Sequence, residues 1–493
     1  MSETKRVVIE PVSRVEGHGK VTLLLDDDNV IQQARLHIVE FRGFEKFIQG
    51  RPYWELPLIV QRLCGICPVS HHLAAAKAID EIAGASPLTE TADKLRRLLH
   101  LGQTLQSHAL HFFHLASPDL LFGFDSDIAK RNIVGVIEAH PDIALHGVRI
   151  RKFGQEIIKA ITGKRIHGTA AIPGGMNKPL NASDQQQLLQ HTQSIITWCA
   201  QAVNLARTLY EKNQPYHSEF ATIQTPFLSL VDKQGNWEIY DGKLRAKDPD
   251  GSLYFDQFDA HNYTGIINEQ VKSWSYMKFP FFKERGPEHG WYRVGPLARI
   301  NNCSQLSTPL AEQERQQFIQ STPNAEPTVQ ATLAYHWARM IEALHCAESI
   351  EILLTDPACL TSDLMAACKK TDNEIRTGIG VIEAPRGTLF HHYEVDQDDI
   401  VTRANLIVST TSNNQAMNES IRQVANRYLS GKELTPDLLN HIEVAIRAYD
   451  PCLSCATHAV GKMPLVIELG KLENNGISIV DRLSSSTTRE QHG

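Results

Sequence analysis

Two stretches of the chain carry thiols at the spacing of a metal site. Cys64-Gly65-Ile66-Cys67 is followed by His71, and Cys452-Leu453-Ser454-Cys455 by His458, nearly four hundred residues later. Four thiolates in two such pairs can make a soft tetrahedral or bridging site. Spacing alone leaves three readings open: a structural zinc site, a redox-active metal centre, or unrelated thiols. A structural zinc site is normally local, with its pairs about 15 to 20 residues apart. Such a site gains most by folding a small module, and this chain has core enough without one. A thioredoxin-like redox motif explains either pair but not both. The five other cysteines, Cys199, Cys303, Cys346, Cys359 and Cys368, are scattered and read as small core residues.

Several charged groups occur in stretches otherwise rich in Gly, Pro and apolar residues. Glu16, Glu45, Arg386 and Asp450 are the ones to note. Each taken singly reads as a surface or paired structural charge. Together they suit a metal with anionic ligands, because buried charge needs a partner. His108, His111 and His114 recur every third position on an expected helix, but no carboxylate accompanies them at ligand spacing, so they read as packing; His391-His392 is ambiguous. No P-loop, G-x-S-x-G or G-x-G-x-x-G is present, since Gly378-Ile379-Gly380 runs into Glu383 where a third glycine is required. No further cysteine set could hold an iron–sulfur cluster and no nicotinamide site is visible. A redox metal here needs a second subunit to carry electrons away.

The elements that must position these residues are mostly helical. Apolar spacing predicts long helices over 91–116, 184–212 and about 328–354, with further helices over 414–428 and 435–448. Leu73 to Ile82 is alanine-rich, and Pro68 suits a first helical position, so Cys67 falls at a helix N-terminus, where the dipole favours thiolate. Alternating strands are expected in residues 5–45, with a turn at Asp26 to Asn29, in short pieces over 216–286, and at Gly380–Glu383, Leu389–Val395 and Ala404–Thr410. The expectation is an α+β, mainly helical fold: one large domain with a core bundle of long helices and small peripheral sheets from the N- and C-terminal parts. Hydrophobic residues are 42% and charged residues 21%, ordinary for a globular enzyme. The formal charge of −7 gives no basic field for nucleic acid, and no apolar run is long enough to span a bilayer. With no secretory signal visible and nine cysteines too sparse for a disulfide framework, the expected compartment is the cytoplasm.

The motifs together resemble a family. Arg42-Gly43-Phe44-Glu45 with Gln61-Arg62-Leu63-Cys64-Gly65-Ile66-Cys67 is similar to the N-terminal signature of nickel–iron hydrogenase large subunits, and Tyr449 to Cys455 to their C-terminal one. Arg14 to His18 and Glu383-Ala384-Pro385-Arg386-Gly387 resemble two further family segments. Glu40 to Gly43, Ser107 to Leu110, Arg293 to Leu297 and the C-A-T-H ending look most like the cytoplasmic, NAD-linked bidirectional branch. Ser409-Thr410-Thr411 departs from the wider family, where proline often precedes the Ser/Thr.

The resemblance implies a catalytic subunit that reversibly splits dihydrogen. Cys64 and Cys452 would be terminal nickel ligands, with Cys67 and Cys455 bridging to an iron that carries carbon monoxide and cyanide. Arg386, with Pro385 and Thr410, would face the cyanide. Cys452 would take the proton and Glu16 relay it; Asp119 and Asp450 would complete the charged shell with Arg386, and His71 would hydrogen-bond near the bridging sulfur. Glu45, the carbonyl of Leu406 and His458 would hold magnesium or iron. An iron–sulfur small subunit, diaphorase subunits binding NAD and flavin, metal-insertion factors and a maturation protease are the implied partners. The protease would cut after His458, dividing the chain into a domain over 1–458 and an extension over 459–493. Alternatives are a deazaflavin or heterodisulfide-reductase acceptor and, more distantly, a metal-free quinone-reductase-like subunit, which lacks the four cysteines.

Overall fold

The computed structural model describes residues 5–41, 43–322, 326–369, 375–456, 466–473 and 476–484, the last two stretches as backbone. The chain opens with three antiparallel strands in sequence order, β1 (Lys5–Ile9), β2 (Gly19–Leu25) and β3 (Ile31–Ile38). The β2–β3 turn forms where expected. Asp26 Oδ1 accepts from the amides of Asp28 at 3.0 Å and Val30 at 2.9 Å, the local side-chain bonding that makes Asp a turn residue.

Four long helices make the core. After α1 (Pro68–Ile82) come α2 (Glu90–Leu110), α3 (Pro141–Thr162) and α4 (Ala182–Lys212), and the bundle is completed by α6 (Tyr335–Thr355). Helix α2 packs on α3 and α6, and α4 on α3 and α6. Caps set the starts: Thr89 accepts from the Ala92 amide and Asn181 from the Ser183 amide. Gly163, at φ 82°, ends α3. Between α4 and α6 lie β4 (Phe227–Val231), β5 (Lys243–Lys247) and β6 (Leu253–Phe258), which form a second three-stranded sheet, and the short helix α5 (Pro296–Asn302).

A third sheet runs β7 (Arg376–Ala384), β8 (Gly387–Val395), β9 (Val401–Ile407), again antiparallel in sequence order. Helix α1 lies directly on β7. A Cβ at Gly378 or Gly380 would strike the carbonyl oxygens of Ala78 and Ala74, so these glycines let the helix backbone lie against the strand. Helices α7 (Asn414–Val424) and α8 (Pro436–Ala448) then lead to Asp450, and β10 (Val466–Glu473) pairs with β11 (Gly476–Ser484) as a hairpin. The architecture is α+β and mainly helical, as the periodicity implied. Among the described residues no helix is long and apolar enough to cross a membrane.

Several expected boundaries shift, two of them for visible reasons. The helix expected from about 328 begins as a helix only at Tyr335, after a single turn over Thr332–Ala334. Ahead of that turn, side chains are spent on tertiary bonds: Gln330 Oε1 accepts from Arg293 and from the Thr225 amide, and Thr332 donates to the Ala221 carbonyl. The strand expected over Ala404–Thr410 stops at Ile407, and Ser409–Ser412 turns helically, closed by Thr411 N donating to Val408 O at 2.9 Å. This turn aims Thr410 at Cys452.

Candidate metal centre

Cys64 ends a helical turn over Val60–Leu63, and Cys67 is the cap residue of α1, with Pro68 in the first turn. Backbone amides of Ile66 and Cys67 point at Cys64 Sγ from 3.3 and 3.0 Å, and the Cys67 thiol lies 2.8 Å from it. Burial pushes the Cys64 thiol up. The Cys67 hydrogen bond and the Arg386 charge outweigh that and hold it below an ordinary thiol. Cys67, as the donor in that bond, is correspondingly raised.

The second pair is held by distant parts of the chain. Leu453 N donates to Glu16 O at 3.0 Å, Cys452 N to Thr410 Oγ1 at 3.0 Å, and Ser454 N to Glu16 Oε2 at 3.2 Å. Gly17, at φ 82°, lets the chain pass close by, for a Cβ there would sit 2.6 Å from Ser454 N. Asp450 adopts φ 53° at the entry to this turn. The Cys452 and Cys455 sulfurs stand in direct contact, and Cys452 Sγ is 3.5 Å from Cys64 Sγ. All four sulfurs are buried and lie within 4.8 Å of one another. Cys452 Sγ is also 2.9 Å from Glu16 Oε2, while the Ser454 hydroxyl donates to the other Glu16 oxygen.

Beside the sulfurs is a narrow cavity bordered by Cys67, His71, Pro385, Arg386, Thr410 and the second pair. Arg386 reaches it from the β7–β8 turn. Its Nε donates to the Asp450 carbonyl and its Nη2 to Asp450 Oδ1 at 3.0 Å. Burial raises the Asp450 carboxyl against the pull of Arg386 and Arg339, and the Asp450 charge in turn helps keep Arg386 protonated. Arg386 Nη1 is buried with no hydrogen-bond partner among the described residues. A soft four-sulfur donor set beside an unpartnered guanidinium N–H fits a metal group that also carries an acceptor or anionic ligand.

Other expected residues fall differently. Asp119 is gripped by Arg14 at 2.6 Å and by Arg447, whereas the carboxylate paired with Arg386 is that of Asp450. Glu45 meets Leu406 as expected, but through the Leu406 amide, which donates to Glu45 Oε1 at 2.9 Å. Burial raises the Glu45 carboxyl, with Lys278 3.5 Å away opposing it. His458 and Arg42 lie outside the described residues. His108 does have a carboxylate, contributed by another helix: its Nε2 is 3.0 Å from Glu342 Oε2. The helix loosens to a π turn over His111–Ala116, and His111 Nε2 lies 2.7 Å from the Arg447 carbonyl. Cys199, Cys303, Cys346 and Cys359 are buried as expected, whereas Cys368 is exposed, on the segment just before β7.

The brace behind Arg386 had no sequence signal. Arg299, on α5, grips Glu342 with two nitrogens at 2.5 and 2.6 Å and Glu383 at 2.9 Å. It also donates to the carbonyls of Ala384 at 2.9 Å and Pro385 at 3.2 Å. Its partners come from separate segments, so only the folded chain reveals the set. Every oxygen of the two carboxylates accepts a hydrogen bond, which is what makes the set tolerable in the core.

Comparison with known proteins gives a consistent result. Residues 42–123 and 244–458 match the model of nickel-dependent hydrogenases, and residues 6–41 a HoxL-like model. The beta subunit of the NAD-reducing hydrogenase HoxS of Cupriavidus necator is 46% identical over 94% of this chain and 97% of its own length. An F420-non-reducing hydrogenase chain of Methanothermobacter marburgensis is 40% identical over 96% of this chain and 98% of its own. The crystal structure of an NAD+-reducing [NiFe]-hydrogenase in the H2-reduced state superposes with a TM-score of 0.89 at 55% identity, covering 92% of this chain and 100% of that one. A Ni-Fe-Se hydrogenase from D. vulgaris Hildenborough shares the fold at 22% identity, with a TM-score of 0.75, over 92% of this chain and all of that one.

Proposed function

This chain belongs to the nickel-dependent hydrogenases, and from that premise we propose that it is the dihydrogen-splitting subunit of an NAD-linked enzyme working in the cytoplasm. The observation that carries the site assignment is a cluster of four buried sulfurs, three of them bordering one cavity with Arg386, whose Nη1 is unpartnered among the described residues. In this reading Cys64 and Cys452 would hold nickel, and Cys67 and Cys455 would hold nickel together with iron. Arg386 Nη1, with Pro385 and Thr410 on the cavity wall, would donate to a cyanide on an iron that also carries carbon monoxide. When bound, the nickel–iron pair supplies the Lewis acidity and redox capacity that heterolytic cleavage of dihydrogen needs.

The chain's own groups handle the proton. Cys452 Sγ takes it and passes it to Glu16 Oε2, 2.9 Å away and within direct transfer range. The two Ser454 contacts hold the Glu16 carboxylate in that pose. Asp450 fixes the Arg386 fork, and Asp119 acts one layer out, tying Arg14 to Arg447 ahead of the second thiol pair. Glu45, Leu406 and His458 form the proposed magnesium (or iron) site. A free Leu406 carbonyl and displacement of Lys278 from Glu45 are what that site requires. Electrons leave through an iron–sulfur small subunit to diaphorase subunits, and maturation ends with a cut after His458 that releases 459–493.

The likeness to an F420-non-reducing hydrogenase favours one second reading, a different electron acceptor. One set of measurements on the purified complex tests the whole: infrared spectra, metal content, the mass of this subunit, and hydrogen-dependent reduction of NAD, NADP and a deazaflavin. Expected are iron-bound carbon monoxide and cyanide bands, nickel, a C-terminus at His458, and NAD reduction. Zinc alone, with no such bands, would overturn the assignment. Hydrogen-dependent dye reduction without reduction of NAD would overturn only the acceptor.

A further inference from the structure

A second line of polar groups leads away from the cavity. His71 borders the cavity with Cys67, Cys452 and Cys455. Its Nδ1 lies 3.1 Å from His391 Nε2, and His391 Nδ1 lies 2.5 Å from the Tyr393 hydroxyl. All three side chains are buried. His391 and Tyr393 are two apart on β8, so they share one face of that strand, and β8 packs against α1, which carries His71.

Neutral imidazoles donate from one nitrogen and accept at the other, so this line has two consistent arrangements of hydrogens. Burial keeps His71 neutral, its pKa pushed down to about 3, and holds the Tyr393 phenol protonated. In one arrangement Tyr393 donates to His391 Nδ1, and His391 donates to His71 Nδ1. His71 then carries its hydrogen on Nε2, the nitrogen left for the cavity. In the reverse arrangement Tyr393 accepts, and its own hydrogen needs another acceptor. Among the described residues the Tyr393 hydroxyl has no hydrogen-bond partner but His391. A buried hydroxyl hydrogen without an acceptor is costly, so the first arrangement wins. It also presents an N–H rather than a lone pair to thiolates, which are acceptors.

We propose that Tyr393 is a positioning residue that, through His391, fixes His71 in the tautomer donating Nε2–H into the sulfur-lined cavity. This rests on the reading of that cavity as the metal site. The test is Tyr393→Phe, which keeps the ring and removes the donor. Nitrogen-15 solid-state spectra of histidine-labelled complex read the tautomer directly, with the His71 signals identified by difference from His71→Gln. The wild type is expected to show His71 protonated at Nε2. Tyr393→Phe is expected to divide that signal between the two tautomers, to shift the infrared bands of the iron's ligands, and to leave the unfolding midpoint nearly unchanged. A wild-type His71 protonated at Nδ1, or spectra identical in the two proteins, would overturn the proposal. Absence of ligand bands from both proteins would instead remove the metal-site reading and leave the tautomer measurement standing.

Discussion

The two thiol pairs reach one cavity by opposite routes. Cys64 and Cys67 are placed largely by their own neighbourhood: a helical turn ends, α1 begins, and two amides of the loop between them point at Cys64, while Gln103 and Gln106 of α2 anchor the Ile66 carbonyl. Around Cys452 and Cys455 the local bonds are fewer, chiefly Asp450 N to Arg447 O and Ala456 N to Leu453 O. Their turn hangs on Glu16, Gly17 and Thr410, all distant in sequence, and on the Arg386–Asp450 pair. Local geometry thus makes one half of the centre and tertiary packing delivers the other. The first half should tolerate small changes in its loop, and the second should not tolerate changes in its supports.

The largest expected effect treats both halves alike. Cys67→Ser and Cys455→Ser should each abolish hydrogen-dependent dye reduction and deplete nickel and iron, measured by elemental analysis of the complex. A serine variant at either pair with full nickel and full activity would break the equivalence of the two halves.

A glycine pair sharpens the contrast. Around Gly65 nothing lies within 4 Å of an added Cβ, whereas at Gly17 it would meet Ser454 N at 2.6 Å in a left-handed backbone. Gly17→Ala should cost roughly 1–3 kcal/mol in urea unfolding of the metal-free chain and lower its metal loading. Gly65→Ala should stay within about 0.5 kcal/mol. Equal costs would show that the second pair is no more dependent on its supports than the first.

The smallest effect is on pH dependence. Burial pushes the Asp119 carboxyl up, but Arg447 and Arg14 pull it further down, below an ordinary aspartate. Its contribution is therefore complete above the unfolded value near about 3.9 and is lost as pH falls through the lower folded value. Asp119→Asn should flatten the acid limb of the stability curve below that unfolded value. An unchanged limb would mean that the clamp on Arg14 and Arg447 does not support the second pair.

This division also explains what the sequence made legible. Wherever a structure is local, as in the Asp26 turn, the Pro68 helix start and the periodicity of α4, the sequence specified it within a residue or two. The cysteines were legible because C-x-x-C is itself a local pattern. Arg299, Glu342 and Glu383 were not, since each is an ordinary charge until folding brings the three together. Asp119 was linked to Arg386 by family likeness, yet the nearer cations are Arg14 and Arg447. Tyr393 carried no signal either, because a tyrosine on an apolar strand reads as core, and only the neighbouring ring of His391 makes its hydroxyl informative.

The 388 residues between Cys64 and Cys452 also impose a schedule. At synthesis rates of about 5–20 residues per second, the first pair leaves the ribosome roughly 20 to 80 seconds before the second. For that interval two neighbouring thiols wait in a half-made protein. Any soft metal captured then would be held by two sulfurs instead of four. The order of translation therefore favours delivering metal late, and the last residues of the site to be made become the check that the chain is ready to receive it.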